Sequence, residues 1–169
     1  MKLSARKLGK ADKNDLLVCT RADGSSAQVA MPRQGVLPHD LLHDVVETAL
    51  PFRHGFLSQV ADGASIAIEA GMSCVDGPAQ HVLESGQVES LVEALQTQLW
   101  AGAFDPDTFL EGARLAGASR QPPAPALPAL DLEALLFERA RRLHDEWLQV
   151  PPQQAMTPDF APGAAVTSG

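Results

Sequence analysis

The sequence predicts an α+β fold, a small antiparallel N-terminal sheet of about three strands packed by four or five helices. Three observations carry that prediction. Short apolar runs separated by turn residues fill the first third of the chain, with Asp23-Gly24 between two of them. Apolar positions at helical spacing follow over 41–50, 88–99 and 132–147. Of the 169 residues, 45% are hydrophobic and 20% charged, with a mean hydropathy of −0.05, the balance of a chain that buries a core.

The strands come first. Leu3, Ala5 and Leu8 alternate imperfectly with polar residues, and 11–15 is turn material. Leu16-Leu17-Val18-Cys19-Thr20 is a short, partly β-branched run, and Ala27-Gln28-Val29-Ala30-Met31 returns after Asp23-Gly24. Asp and Gly tolerate positive φ, so the pair predicts a hairpin closed by a type I′ turn. A three-stranded meander of this size needs its apolar face covered.

Helices supply the cover. Pro38 suits the first turn of a helix, and Leu41, Leu42, Val45, Val46, Ala49 and Leu50 form its apolar stripe until Pro51 stops it. A second short helix is expected over 55–60. Residues 62–81, with Gly63, Gly71 and Gly77 and no sustained period, read as loop. Val88, Leu91, Val92, Leu95 and Leu99 define a helix over 85–100 that Gly102 ends. Asp105-Pro106 is an N-cap followed by Pro at the first helical position, opening a helix to about residue 116. Asp131 caps a last helix to about residue 150, with Leu132, Leu135, Leu136, Ala140, Leu143 and Trp147 on one face. The expected organisation is therefore an α+β core over 1–118, a Pro-rich linker over 119–130, an amphipathic helix over 131–150 and a disordered tail over 151–169.

Composition excludes several function classes. Thirteen Lys and Arg against twenty-one Asp and Glu leave a net charge of −8, the wrong sign for a general nucleic-acid binder. No apolar run approaches the ~20 residues that span a bilayer, so no membrane partner is expected. Charge interrupts Met1–Lys7 before an apolar stretch could form, so no signal peptide is expected. Cys19 and Cys74 are too few for a disulfide framework and form no CxxC pair, which suits a reducing, cytoplasmic setting. Cys19, in a strand, reads as a small buried hydrophobe. The charge is uneven: Lys2, Arg6, Lys7, Lys10 and Lys13 against Asp12 make residues 1–13 basic. Such a segment either pairs with the acidic body or serves as an anion-binding arm. Arg139, Arg141 and Arg142 lie opposite the apolar stripe of the last helix, as a solvated face or a contact for an acidic partner.

One segment suggests chemistry, Pro38-His39-Asp40-Leu41-Leu42-His43-Asp44-Val45-Val46-Glu47. His39 and His43 stand at i and i+4, the spacing that lets two imidazoles of one helix reach one metal ion. The pattern looks like the zincin HExxH motif with Asp40 in the place of the general base. Asp is one methylene shorter, which would leave its carboxylate ~1.5 Å short, a displacement that matters in catalysis. Stepping ~100° per residue puts His39 and His43 at the rim of the apolar arc, and Asp40, Asp44 and Glu47 on the polar side. Glu47 stands ~12 Å along the axis from His39, so a third ligand should come from elsewhere, from His54, Cys74, His81 or Glu69. The same residues also have a bland explanation. Asp40 and Asp44 complement the positive end of the helix, and a core-edge histidine needs only one hydrogen bond.

The run Leu37-Pro38-His39-Asp40-Leu41-Leu42-His43, then Val46-Glu47 and Arg53-His54-Gly55-Phe56, follows a hairpin containing Arg21-Ala22-Asp23-Gly24-Ser25. Over about residues 15–60 it resembles a group of small bacterial proteins with no assigned activity. The resemblance implies the hairpin-then-helix layout and no mechanism.

No GxSxG elbow, phosphate-binding glycine loop or paired-carboxylate motif is present, so no catalytic residue is assigned beyond the candidate Asp40. Three readings follow. The first is a non-enzymatic accessory protein that meets a partner, or a second copy, through Leu132, Leu136, Leu143 and Trp147. The second is a metal-binding protein or zinc-dependent hydrolase built on His39 and His43, with zinc as its cofactor. The third is a small-ligand binder with those histidines as pocket wall. In the free protein the last helix is expected to dock on its own domain, since tethering favours the intramolecular contact.

Overall fold

Leu17 and Cys19 of β2 (Asn14–Thr20) are buried while Leu16, Val18 and Thr20 are only half so, a period-2 pattern that gives the strand one core face. β1 (Lys2–Arg6) pairs antiparallel with β2 so that Leu3 meets Cys19 and Ala5 meets Leu17, and β3 (Ser26–Pro32) sets Val29 beside Leu17. This register collects Leu3, Ala5, Leu17, Cys19, Val29 and Met31 on one face. The computed structural model describes residues 1–69, 72–75, 79–120, 127 and 130–163.

The β2–β3 connection is the expected hairpin with a different turn. The Gly24 N–H donates to the Arg21 carbonyl (3.1 Å), and only Gly24 has positive φ, +85°. A type I′ turn would need positive φ at Asp23 as well. Asp23 instead accepts the Ser25 N–H (2.9 Å) and hydroxyl (2.7 Å), bonds that reward the loop actually formed.

The apolar face of the sheet is covered by α1 (His39–Ala49), which also packs against α2 (Phe56–Ala61), the long α3 (Ala79–Ala101) and the last helix. A helix surrounded this way keeps solvent contact only at its first turn, through His39, and Asp40 through Ala49 are all buried. That corrects the amphipathic reading, in which Asp40, Asp44 and Glu47 faced water. Gly102, with φ +74°, closes α3 and donates to the Gln98 and Leu99 carbonyls. Asp105 caps α4 (Pro106–Arg120) through the Thr108 N–H (2.7 Å), and the helix runs four residues beyond its expected end.

Two further expectations fail. The 62–81 region holds a hairpin, β4 (Ile66–Glu69) and β5 (Met72–Val75), and α3 begins six residues before Ser85. The tail is not disordered through 163. β6 (Ala155–Met156) adds to the free edge of β1, giving the sheet order β3-β2-β1-β6. Phe160 is 8% exposed, and the Gly163 N–H donates to the Glu47 carbonyl (2.9 Å). An edge strand offers unpaired N–H and C=O groups to any extended segment, so a tail of weak side-chain signal can still be held. Residues 164–169 lie outside the described residues, as do all four prolines of the expected linker.

Asp131 caps the last helix through the Ala134 N–H (3.0 Å), and a π-helical turn (Glu133–Phe137) leads into α5 (Glu138–Gln149). Leu136, Phe137, Ala140, Leu143 and Trp147 join the common core, with Leu132 and Leu135 packed at its margin. Each large side chain so buried contributes about 1.5–3 kcal/mol relative to exposure. The helix therefore docks on its own chain, and the face expected to meet a partner is consumed there. Among the described residues no helix is long and apolar enough to cross a membrane.

Candidate metal centre

Helical spacing brings the His39 and His43 rings to 5.2 Å between centroids on the face of α1 that meets α3. There Glu89, 46 residues after His43, supplies a carboxylate to both. Its Oε1 lies 2.9 Å from His39 Nε2 and its Oε2 3.1 Å from His43 Nε2. One ligand atom from each of His39, His43 and Glu89 lies within 4.8 Å of the other two. Tetrahedral zinc with bonds of about 2.0–2.2 Å wants separations of roughly 3.4 Å, so closing on an ion takes side-chain adjustments of about an ångström. His39 and Glu89 each keep about a quarter of their side-chain surface in solvent, whereas His43 is buried.

Glu47 stands behind His43. His43 Nδ1 lies 3.1 Å from Glu47 Oε1, and that carboxylate also accepts the Leu57 N–H (3.0 Å), the Ser58 N–H (2.8 Å) and the Ser58 hydroxyl (2.7 Å). It therefore caps the first turn of α2 with no surface left in solvent. Facing Nδ1, the Glu47 oxygen accepts a hydrogen bond when His43 carries its proton on that nitrogen. That leaves Nε2, the atom facing Glu89, as the one able to bind a cation. This carboxylate–histidine arrangement is the support that metal-binding imidazoles commonly have.

The charges are strongly coupled. Burial works against a charged His43, but its hydrogen bonds to Glu47 and Glu89 outweigh that and hold its pKa up at about 10. Burial would raise Glu89, and the hydrogen bonds from His39 and His43 instead pull it far below the ordinary carboxylate range. Without a metal, then, His43 is an imidazolium between two carboxylates. Asp40 follows the first histidine, and burial pushes its carboxyl up against the pull of His43 and His39. Burial also raises Asp44, to about 6, with Arg139 opposing. Cys19 is raised to about 11, by burial and then by Asp40, and remains a thiol.

Sequence reasoning pairs His39 with His43, sets Glu47 aside and does not single out Glu89. Of the proposed third ligands, His54 and His81 stack on each other instead, with centroids 3.7 Å apart. The side chains of Glu69 and Cys74 lie outside the described part of the structure. Glu89 sits one residue from Val88 in the core stripe of α3, and only the α1–α3 crossing shows what it meets. Glu47 was set aside as a third ligand for its distance from His39, correctly, but i+4 spacing from His43 was the available signal for its supporting role. Asp40 lies close enough to the site to feel the charges of His43, His39 and Glu89. No family model, curated protein or solved structure matches the chain.

Proposed function

We propose that this protein binds a divalent transition-metal ion, zinc, through His39, His43 and Glu89. The convergence of two imidazole Nε2 atoms and one carboxylate from two helices supports the reading most directly. Two imidazoles and a carboxylate are a donor set that zinc accepts, and three protein ligands leave a fourth position open. Partial exposure of His39 and Glu89 gives water access to the cluster. A zinc ion there would lower the pKa of a bound water, the property hydrolytic sites use. We assign no catalytic step. Asp40, the carboxylate in the general-base position of the motif, is favoured in its protonated form by burial, and no reacting group is held against it. The proposal is a zinc-binding protein of a reducing, cytoplasmic setting.

The accessory-protein reading loses its main support, because Leu136, Leu143 and Trp147 are already packed in the chain's own core. A partner would have to use another surface.

The test is metal content. Purified protein, freed of metal and exposed to limiting zinc, should hold one ion per chain by elemental analysis. His39→Ala, His43→Ala and Glu89→Ala should each abolish or greatly weaken binding, while His144→Ala should not. Zinc retained at full stoichiometry by all three variants, or none bound by the parent protein, overturns the reading.

A further inference from the structure

A cavity of about 290 Å³ opens between the end of β1, the segment leading from β3 into α1, and the last turns of α5. Lys7, Lys10, Arg33 and His144 line it, together with apolar surface that includes Leu8 and Trp147. Convergence of four basic side chains on one cavity is unexpected in a chain of net charge −8.

The charges are not all spent internally. Asp15 is the carboxylate among the lining residues, and it is taken up by Arg33 (2.7 and 3.1 Å) and by the Leu8 N–H (2.9 Å). The Lys7 ammonium donates to the Leu148 carbonyl (3.2 Å) and sits 5.1 Å from the centroid of the Trp147 ring. An ammonium has three donors, so two remain. Its backbone is pinned on both sides by the tail, with the Lys7 N–H donating to Gln154 (2.9 Å) and the Gln153 N–H donating to Lys7 (2.7 Å). Lys7 is thus already ordered, and a ligand meeting it would not bear the cost of immobilising a long side chain. Lys10 and His144 have no ion-pair partner among the described residues.

We propose that this cavity binds a small amphipathic organic acid. Its carboxylate meets Lys7 and Lys10, and its apolar body packs on Leu8 and the exposed Leu148, beside the edge of Trp147. A few convergent polar groups on an otherwise apolar concavity are the usual make-up of a small-molecule site, and the volume lies just below the lower bound of that class, about 300 Å³, which suits a small ligand. An inorganic anion would use the charges and waste the apolar walls. The basic N-terminal segment then has a local purpose, and the tail, which pins Lys7 and adds Pro152 to the lining, completes the site.

The experiment titrates full-length, metal-free protein with 1-naphthoate, following binding by calorimetry and the Trp147 indole N–H by NMR. The neutral 1-naphthamide and inorganic phosphate serve as controls. One saturable site is expected for naphthoate, with a shift of the Trp147 signal and binding by either control weaker by about tenfold or more. Lys10→Gln, at an exposed position that should not disturb folding, and Lys7→Gln should each weaken naphthoate by about tenfold. Absence of saturation at millimolar naphthoate, equal binding of naphthamide, phosphate binding as tight as naphthoate, or affinity unchanged in both variants overturns the proposal. Since the titration is done without zinc, its result is independent of whether the metal reading stands.

Discussion

Gly55 and the Glu47 carboxylate share space that no side chain on residue 55 could occupy. A Cβ built on Gly55 would overlap the carboxylate, standing only 2.6 Å from its Oε1. Gly55 precedes α2, and its bareness lets the Glu47 oxygens reach the Leu57 and Ser58 N–H groups and still accept from His43. The glycine is needed here for close approach rather than for an unusual backbone angle, its φ being an ordinary −67°.

Gly55→Ala should therefore cost about 1–3 kcal/mol in denaturant unfolding, the range of core overpacking, and weaken zinc binding with it. The two effects are linked because the carboxylate that must move is the one holding His43. Unchanged stability would mean that the Glu47 side chain can retreat without loss.

Glu47→Gln keeps the shape but removes the charge and sets an amide N–H₂ against donors. Breaking a buried charged pair in this way should destabilise the protein by about 3–5 kcal/mol. Loss of the group that orients His43 should reduce zinc affinity about 10–100-fold. Calorimetry on the folded fraction of the variant separates the two, and affinity equal to the parent's would remove Glu47 from the metal site.

The His43 charge makes stability depend on pH in a stated direction. Its folded pKa of about 10 stands above the ordinary 6.5, so its contribution is full below about 6.5 and is lost as pH rises through about 10. Asp44, raised from 3.8 to about 6, also contributes most at low pH and has lost its share by neutrality. Glu89 acts oppositely: its depressed pKa gives stability above the ordinary 4.5 that is lost as pH falls. Between pH 7 and 10, then, metal-free protein should lose stability mainly through His43. Zinc replaces the proton on Nε2, so loaded protein should show a flatter profile there. Melting temperatures across that range, with and without zinc, check this; parallel profiles would refute it.

Zinc binding at pH 7 must displace that proton. Calorimetric titrations in buffers of different ionisation enthalpy should report release of about one proton per ion from His43. No buffer dependence would show that His43 is neutral before the metal arrives.

Phe160→Ala tests the tail. Phe160 is buried against the core, and truncating a buried Phe costs about 3–5 kcal/mol. A change below about 0.5 kcal/mol, the usual size of a surface substitution, would mean that the tail is not docked.

The sequence by itself determined the elements whose causes lie within a few residues. The Asp23-Gly24 hairpin, the Asp105-Pro106 start of α4, the Gly102 stop of α3 and the Asp131 cap rest on bonds between residues two to four apart, so their residue types can be read directly. The pairing of His39 and His43 was legible for the same reason. Tertiary structure decided the rest. Glu89 is brought to both histidines by the α1–α3 crossing, which no local pattern encodes. Glu47 became a buried cap for α2 because α1 is enclosed on every side, where a helical wheel promised a face in water. The tail found the β1 edge through backbone groups that every sequence carries. Local chemistry specifies turns, caps and spacing; the environment of a charged side chain depends on what the remainder of the chain packs around it.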